Sequence, residues 1–324
     1  MYRGKTVCVV VPAYNEEHLI GRVIETMPDF VDRIVVVDDC STDETVQVVE
    51  AYVTAQPDRV LLVRHEKNQG VGGAIVTGYR KARDLRMAAT AVMAGDAQMD
   101  PEDLPALLDP VVEGRADYAK GNRLFTGEAW ETIPRVRYLG NAVLSLLTKI
   151  ASGYWHIADS QTGYTVANLA VLETLPFRKV FRNYGVPNDL LVRLNVFNFR
   201  VIDVPVKPVY GIGEKSGIRI GMVIPRISWL LIRLFLWRMK EKYIIRDFHP
   251  LIFFYLLGFV CAPFGGAMGV YLAWLRLFHG PIAPVAPLFA AFLFITGLQS
   301  IFFAMWFDME YNRDLGLEPH IRSN

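Results

Sequence analysis

Cysteine is scarce in this sequence: Cys8, Cys40 and Cys261 are the only three in 324 residues. Thiols so few and so scattered build neither a disulfide framework nor a metal cluster. The first two fall in or beside expected strands, so a reducing compartment fits. Charge bias is missing too. The chain carries 34 Lys and Arg against 33 Asp and Glu, a net charge of +1, which implies no general affinity for nucleic acid. Internal repeats and low-complexity tracts are absent. No secretory signal precedes Val7, because Met1 to Thr6 is polar and the apolar run Val7 to Val11 is too short for an h-region. The N-terminal part is therefore expected to stay in the cytoplasm.

In two places charge vanishes altogether. Pro250 to Leu275 and Gly280 to Phe307 contain no Asp, Glu, Lys or Arg, and each exceeds the ~20 apolar residues that a bilayer crossing needs. They account for a hydrophobic content of 52% and a mean hydropathy of +0.25, above those of an ordinary soluble domain. Core helices rarely run that long uncharged, so two transmembrane helices are expected over 249–307, followed by a tail over 308–324. Ahead of them, Arg219, Arg226, Arg233 and Lys240 recur every seven residues. On a helix that spacing drifts only ~20° per repeat, so the cations form a slowly turning stripe. This reads as an amphipathic interfacial segment over 213–248 lying on anionic headgroups, or as ordinary anchors. Its helix is expected to start at Pro225, where a proline is tolerated. Arg226, Arg233, Arg238, Lys240, Lys242 and Arg246 precede the first span, whereas the loop between spans holds only Arg276 and His279. The positive-inside rule then puts the N-terminal domain and both termini in the cytoplasm.

That domain, 1–212, is expected to be α/β. From Thr6 to about Arg123, short β-branched runs (TVCVVVPAY, DRIVVVDDC, RVLLVRHE, ATAVMAGD, ADYAKGNR) alternate with helix-period segments that follow NEE, STDE, GVGGA and DPED. Such alternation predicts a mostly parallel sheet wound with helices on both faces. Leu124 to Tyr210 is less regular and reads as an extension of the same domain. Ligands of such sheets bind beyond the C-terminal strand ends. The candidate wall is therefore Ala13 to Glu17, Asp38 to Asp43, Lys67 to Gly73 and Gly95 to Gln98.

Chemistry-bearing residues fall on that wall. Asp38 and Asp39, with Glu16 and Glu17 from the neighbouring turn, make a region that repels anions unless it binds a cation or the donors of a nucleobase and ribose. Ser41 and Asp43 suit helix capping better than catalysis. Asp96 and Gln98 project to one side of an extended segment and are hard oxygen donors suited to Mg²⁺ or Mn²⁺. Arg123, Arg135, Arg137 and Lys215 supply cations for phosphate.

The stretches VVVPAYNEE, VVVDDCSTDET, KNQGVGGAIVTGY and VMAGDAQMDPEDLP, in this order and spacing, resemble family 2 glycosyltransferases with the GT-A fold. KGNR, DSQTGYT, NDLLVRL and VYGIGEKSG resemble the branch that makes polyprenyl-phosphate and dolichyl-phosphate sugars. The resemblance covers about Thr6 to Gly217. It implies nucleotide contacts at Pro12, Tyr14, Glu16 and Gly95, a base-binding acid at Asp39 with Asp38 beside it, and a metal motif of which Asp96 and Gln98 remain. Arg123, Arg137 and Lys215 fall near the family's phosphate-binding cations, although GEKSG reverses the usual order of serine and lysine. The departure is Ala94, which stands where the first metal acid belongs.

The implied activity is inverting transfer of one sugar from a nucleotide sugar, of GDP-mannose or UDP-glucose type, to a polyprenyl phosphate at the membrane. Asp159 is placed to orient an arginine or to cap a turn, and Arg226 and Arg233 to meet the lipid phosphate. A homo-oligomer is compatible with this. A processive polysaccharide synthase is disfavoured, since no Gln-x-x-Arg-Trp occurs and Gln299 is followed by SIFFAMW. A non-catalytic membrane scaffold that binds nucleotide sugars is favoured only by Ala94.

Overall fold

The computed structural model describes residues 1–124, 135–207 and 220–316, with side chains from 142 and from 225 onward in the second and third segments. Its contacts divide into two compact units, Met1–Phe235 with Asp314–Asn324, and Leu236–Arg313.

The first unit is built on a seven-stranded sheet: β1 (Val7–Ala13), β2 (Arg33–Asp38), β3 (Val60–Arg64), β4 (Ala89–Val92), β5 (Tyr118–Asn122), β6 (Thr165–Asn168) and β7 (Val201–Pro205), in the order β3-β2-β1-β4-β6-β5-β7. The first four are parallel neighbours, while β6 lies antiparallel between β4 and β5. Two antiparallel steps restore direction, so β5 runs with β4. The C-terminal ends of β1 to β5 therefore share one edge of the sheet.

Both faces of the sheet are buried, which is why its parallel strands are continuous β-branched runs. Alternation divides each strand between two cores. Val7, Val9 and Val11 of β1 pack on one side with α1 (Ile20–Glu25), α2 (Thr45–Ala55) and α4 (Leu104–Val112). Cys8 and Val10 pack on the other with α3 (Val71–Asp84), α6 (Leu169–Thr174) and α7 (Val186–Val196). Helix α3 lies so close to β1 that a Cβ on Gly78 would sit 2.0 Å from Val10 Cγ1. Helix α5 (Arg135–Ser152) precedes β6.

Helix α8 runs over Ile220–Lys240, so it begins five residues before the expected start at Pro225. Pro225 therefore lies inside the helix, where it has no N–H to give the carbonyl four residues back, that of Gly221.

The second unit continues through a π-helical turn, Glu241–Arg246, into α9 (Leu251–Phe278) and α10 (Val285–Tyr311). Both last helices, 28 and 27 residues, are long and apolar enough to cross a membrane. At ~1.5 Å per residue each spans ~40 Å, against a hydrocarbon core of ~30 Å. Small residues let their backbones touch: a Cβ on Gly297 would lie 2.3 Å from the Ala262 nitrogen, and one on Gly265 would lie 2.5 Å from that of Phe294. At the base of this hairpin Arg238 donates to both oxygens of Asp308, at 2.8 and 2.9 Å, and both side chains are fully buried. Tyr243 also donates to Asp308, and Lys242 donates to Asn312 at 2.7 Å. Two of the six cations counted ahead of the first span, Arg238 and Lys242, are thus interior groups.

Candidate functional site

The strand order turns back at β1. The chain lays β2 and β3 to one side of it and then crosses to β4 on the other, which opens a crevice beyond the ends of β1 and β4. The two strand ends are drawn together there: the Gly95 N–H donates to the Pro12 carbonyl at 3.2 Å, and a Cβ on Gly95 would lie 3.1 Å from that oxygen and 3.4 Å from Ala13 Cβ. A glycine stands there because β1 leaves little room for a side chain.

The chain then turns sharply. Ala97 adopts φ of +57°, and the Gln98 N–H donates to Asp96 Oδ1 at 3.1 Å, a turn of the Asx type. The segment is therefore not extended, and the alternation argument that put Asp96 and Gln98 on one side does not hold. A left-handed alanine costs ~1–2 kcal/mol, strain that marks functional turns more often than ordinary ones. The Ala94 N–H donates to Met99 Sδ at 3.2 Å, closing the loop on itself.

Acids converge opposite this turn. Burial, followed by the charges of Asp96 and Asp43, pushes the Glu16 carboxyl up to about 7. Asp43 itself accepts from Thr45 N–H and Oγ1, at 3.0 and 2.6 Å, and from Glu17 N–H at 3.2 Å, so it ties the start of α2 to the turn after β1. Although burial alone would raise it, these donors hold its carboxyl below the ordinary value. Tyr14, directly after β1, is 48% exposed, which leaves its ring open to a planar ligand. Among the described residues no three His, Cys, Asp or Glu side chains converge tightly enough to hold a metal alone.

The two acids at the end of β2 differ sharply, although both are buried. Asp38 accepts the Ser41 N–H at 3.2 Å. Asp39 meets His65 Nδ1 at 2.7 Å, Gln69 N–H at 2.8 Å and Gly70 N–H at 2.7 Å, so its lone pairs are largely taken. His65 Nε2 in turn reaches Thr77 Oγ1 at 2.9 Å. Sequence reasoning missed His65; its only signal was its place at the end of β3. The glycines that follow are packing devices. Gly70 has φ of +79°, and Cβ atoms on Gly70 and Gly72 would collide with the Arg182 carbonyl at 2.5 Å and with Val186 at 2.1 Å.

At the same edge, just past β5, Arg123 grips Asp159 from the loop before β6: Nε to Oδ2 at 2.8 Å and Nη2 to Oδ1 at 3.2 Å. Asp159 is 3% exposed at its side chain and Arg123 29%. Burial alone would raise the Asp159 carboxyl, but Arg123 and Lys120 hold it below the usual range. Lys120, also buried, donates to the Thr162 carbonyl at 2.5 Å; burial brings it down to about 8 against the pull of Asp159 and Asp203. Gln161 donates to Asn188 of α7 at 3.4 Å and Ser160 meets Ser145 of α5 at 3.2 Å, which fixes this loop on two helices.

On α8, Arg226 and Arg233 are exposed beside the exposed apolar Trp229 and Ile232. A chain of contacts ties this helix to the site edge. A Cβ on Gly185 would lie 2.6 Å from Leu230 of α8, and the neighbouring Arg182 carbonyl accepts the Gly72 N–H at 2.9 Å. Arg135 and Arg137 open α5, where the backbone alone is described, and Lys215 lies outside the described residues.

Residues 8–175 match the sequence profile of Glycosyl transferase family 2. Among similar proteins, the UDP-N-acetylglucosamine–dolichyl-phosphate N-acetylglucosaminyltransferase of Methanococcus voltae is 27% identical over 218 residues, 64% of this chain and 86% of that protein. The polyprenol monophosphomannose synthase of Mycolicibacterium smegmatis is 30% identical over 228 residues, 68% of this chain and 84% of that one. Of solved structures, glucosyl-3-phosphoglycerate synthase from Mycobacterium tuberculosis, in complex with Mn²⁺, uridine diphosphate and product, superposes with a TM-score of 0.51 at 22% identity. The match covers 72% of this chain and 80% of that one and shows a shared fold.

Proposed function

The chain belongs to glycosyl transferase family 2, and from that premise we propose that it transfers a single sugar from a nucleotide sugar to a polyprenyl phosphate, with inversion at the anomeric carbon. The observation that carries this reading is topological: an acid-rich crevice at β1 and β4 and a carboxylate-clamped arginine after β5 emerge along one edge of one sheet. The first suits a nucleoside diphosphate with its cation, the second a phosphate acceptor. The acceptor class is the one named for the Methanococcus and Mycolicibacterium relatives, whose sugars differ, so the class of reaction transfers more readily than the donor.

In this reading Pro12 and Tyr14 flank the base. Asp38 takes a base or ribose donor, while Asp39, committed to His65, Gln69 and Gly70, fixes the wall of the pocket. Glu16 is raised first by burial and then by the charges of Asp96 and Asp43, and that gathering of acids fits a divalent cation, Mg²⁺ or Mn²⁺, which Asp96 and Gln98 would hold. With alanine at 94 the chain would supply one acid fewer to that ion, which when bound would offset charge on the leaving diphosphate. An acceptor monoester, with a second pKa of about 6, is already ionised at neutral pH, so the attacking oxygen needs no general base. Arg123, held in one orientation by Asp159, aligns that oxygen, with Arg137 and Lys215 as further phosphate contacts. The exposed cations before the first span and the sparsely charged loop at Arg276 and His279 orient the catalytic unit to the cytoplasm.

The deciding experiment uses the full chain in lipid nanodiscs with a polyprenyl phosphate and a panel of radiolabelled nucleotide sugars. Label from one donor should pass into organic-extractable lipid. Nucleotide binding without lipid labelling from any donor would overturn transfer and leave a binding role.

A further inference from the structure

One polar side chain stands where a membrane helix offers it nothing. Gln299 lies ~21 Å along α10, a helix ~40 Å long, and so falls near the middle of the span. It is exposed, and among the described residues no hydrogen bond reaches its amide. In hydrocarbon neither lipid tails nor water satisfy such a group, and leaving it unpaired costs several kcal/mol.

The residues around it are patterned. Leu288, Phe292, Ile295, Gln299, Phe302 and Trp306 follow one another at alternating steps of four and three, and all are exposed. Steps of four and three sustained over this length make the a/d seam of a left-handed helix pair, and Gln299 falls at an a position, where a single polar residue fixes register. The hairpin does not use this seam. Ala290, Gly297 and Ala304, the buried residues of α10 spaced by seven, lie roughly 170° around the helix at ~100° per residue. One face of α10 thus meets α9, and the opposite face carries an unsatisfied amide on an apolar stripe.

We propose that this face is a self-association surface, on which a second copy of the chain docks with α10 parallel to α10. A carboxamide carries both donor and acceptor and is therefore complementary to itself. Two copies inserted with the same topology run their α10 helices in parallel, and a two-fold axis then brings Gln299 against Gln299 of the second copy. The proposal assumes that the hairpin spans the bilayer and is independent of the sugar-transfer reading.

Cysteine cross-linking of the full chain in liposomes tests it, in a background with Cys8, Cys40 and Cys261 replaced by serine and at low protein-to-lipid ratio. Under oxidation Phe302→Cys should give a disulfide dimer, whereas Val270→Cys on the lipid-exposed face of α9 should not. Adding Gln299→Leu to Phe302→Cys should lower the dimer fraction roughly three- to thirtyfold, the range for one interhelical hydrogen bond, and Gln299→Asn should restore part of it. Fluorescence transfer between separately labelled copies, followed as lipid is added, gives the same comparison without a disulfide. Equal cross-linking at both cysteines, a dimer indifferent to Gln299→Leu, or monomers only would overturn the proposal, the last by assigning the seam to another membrane protein or to lipid alone.

Discussion

Replacing Asp159 by asparagine keeps the side chain's shape and removes its charge. In the native site that carboxylate takes two hydrogen bonds from the Arg123 guanidinium, at 2.8 and 3.2 Å, and accepts the Arg123 N–H at 3.3 Å and the Gln161 N–H at 3.0 Å. Breaking a fully buried ion pair costs ~3–5 kcal/mol. Here the arginine is 29% exposed, so water recovers part of its solvation, and the asparagine oxygen still accepts one bond. A loss of ~1–3 kcal/mol in stability is expected. The catalytic loss differs in kind. Freed from its fork, the guanidinium samples several rotamers, and kcat/KM should fall ~10- to 100-fold, or about 1.4–2.8 kcal/mol of transition-state binding. Sugar transfer to polyprenyl phosphate, measured with each substrate varied in turn, should place that loss in acceptor KM and kcat, with donor KM within about twofold. Arg123→Lys should not substitute for the native arginine, because an ammonium cannot make the fork. A rise confined to donor KM would move Arg123 to the diphosphate. Unchanged kinetics in a less stable protein would make the pair purely structural.

Asp96→Ala should lower kcat at least ~100-fold and Gln98→Ala less; near-normal turnover of Asp96→Ala would remove the metal site from this turn. Ala94→Asp should lower the Mn²⁺ concentration for half-maximal rate, and an unchanged midpoint means that position 94 faces away from the ion. Glu16 titrates at about 7, so a cation near Asp96 displaces its proton, and half-saturating Mn²⁺ should fall as pH rises from ~6 to ~8, a dependence that Glu16→Gln flattens. The same group works against the fold: its folded value lies above the ordinary 4.5, so stability should decline between about 4.5 and about 7 as pH rises, and Glu16→Gln should reduce that slope in thermal melts. Arg226→Gln with Arg233→Gln should raise acceptor KM and spare donor KM, and His279→Cys, in a background without the native cysteines, should be labelled only from the far side of the membrane; cytoplasmic labelling reverses the orientation.

The parallel half of the sheet was legible because its strands are local signals, β-branched runs closed by acids or glycine. Strand β6 was not. Its four residues, TVAN, follow a loop rich in polar groups, and their placement between β4 and β5 depends on pairing with Ala89–Val92, more than seventy residues back. Locality also explains what happened at the site. Gly95 and Asp96 follow directly from a strand end, whereas the union of Arg123 with Asp159, the commitment of Asp39 to His65 and the backbone reversal at Ala97 arise from tertiary contacts. The burial of Arg238 and Lys242, counted only as charges ahead of the first span, was hidden for the same reason: their partners, Asp308 and Asn312, lie seventy residues further on.

That separation has a meaning in time. At ~5–20 residues per second, Arg238 exists for about 4 to 14 s before Asp308 is made. A guanidinium without its counter-ion does not enter an apolar interior. Throughout that interval it has to remain in contact with water or headgroups, and the first span cannot adopt its final seat. Only when the second span has been synthesised and has folded back does the carboxylate arrive that permits burial. The pair thus acts as a latch that closes last, and it ties the final closure of the hairpin base to the completion of both its helices.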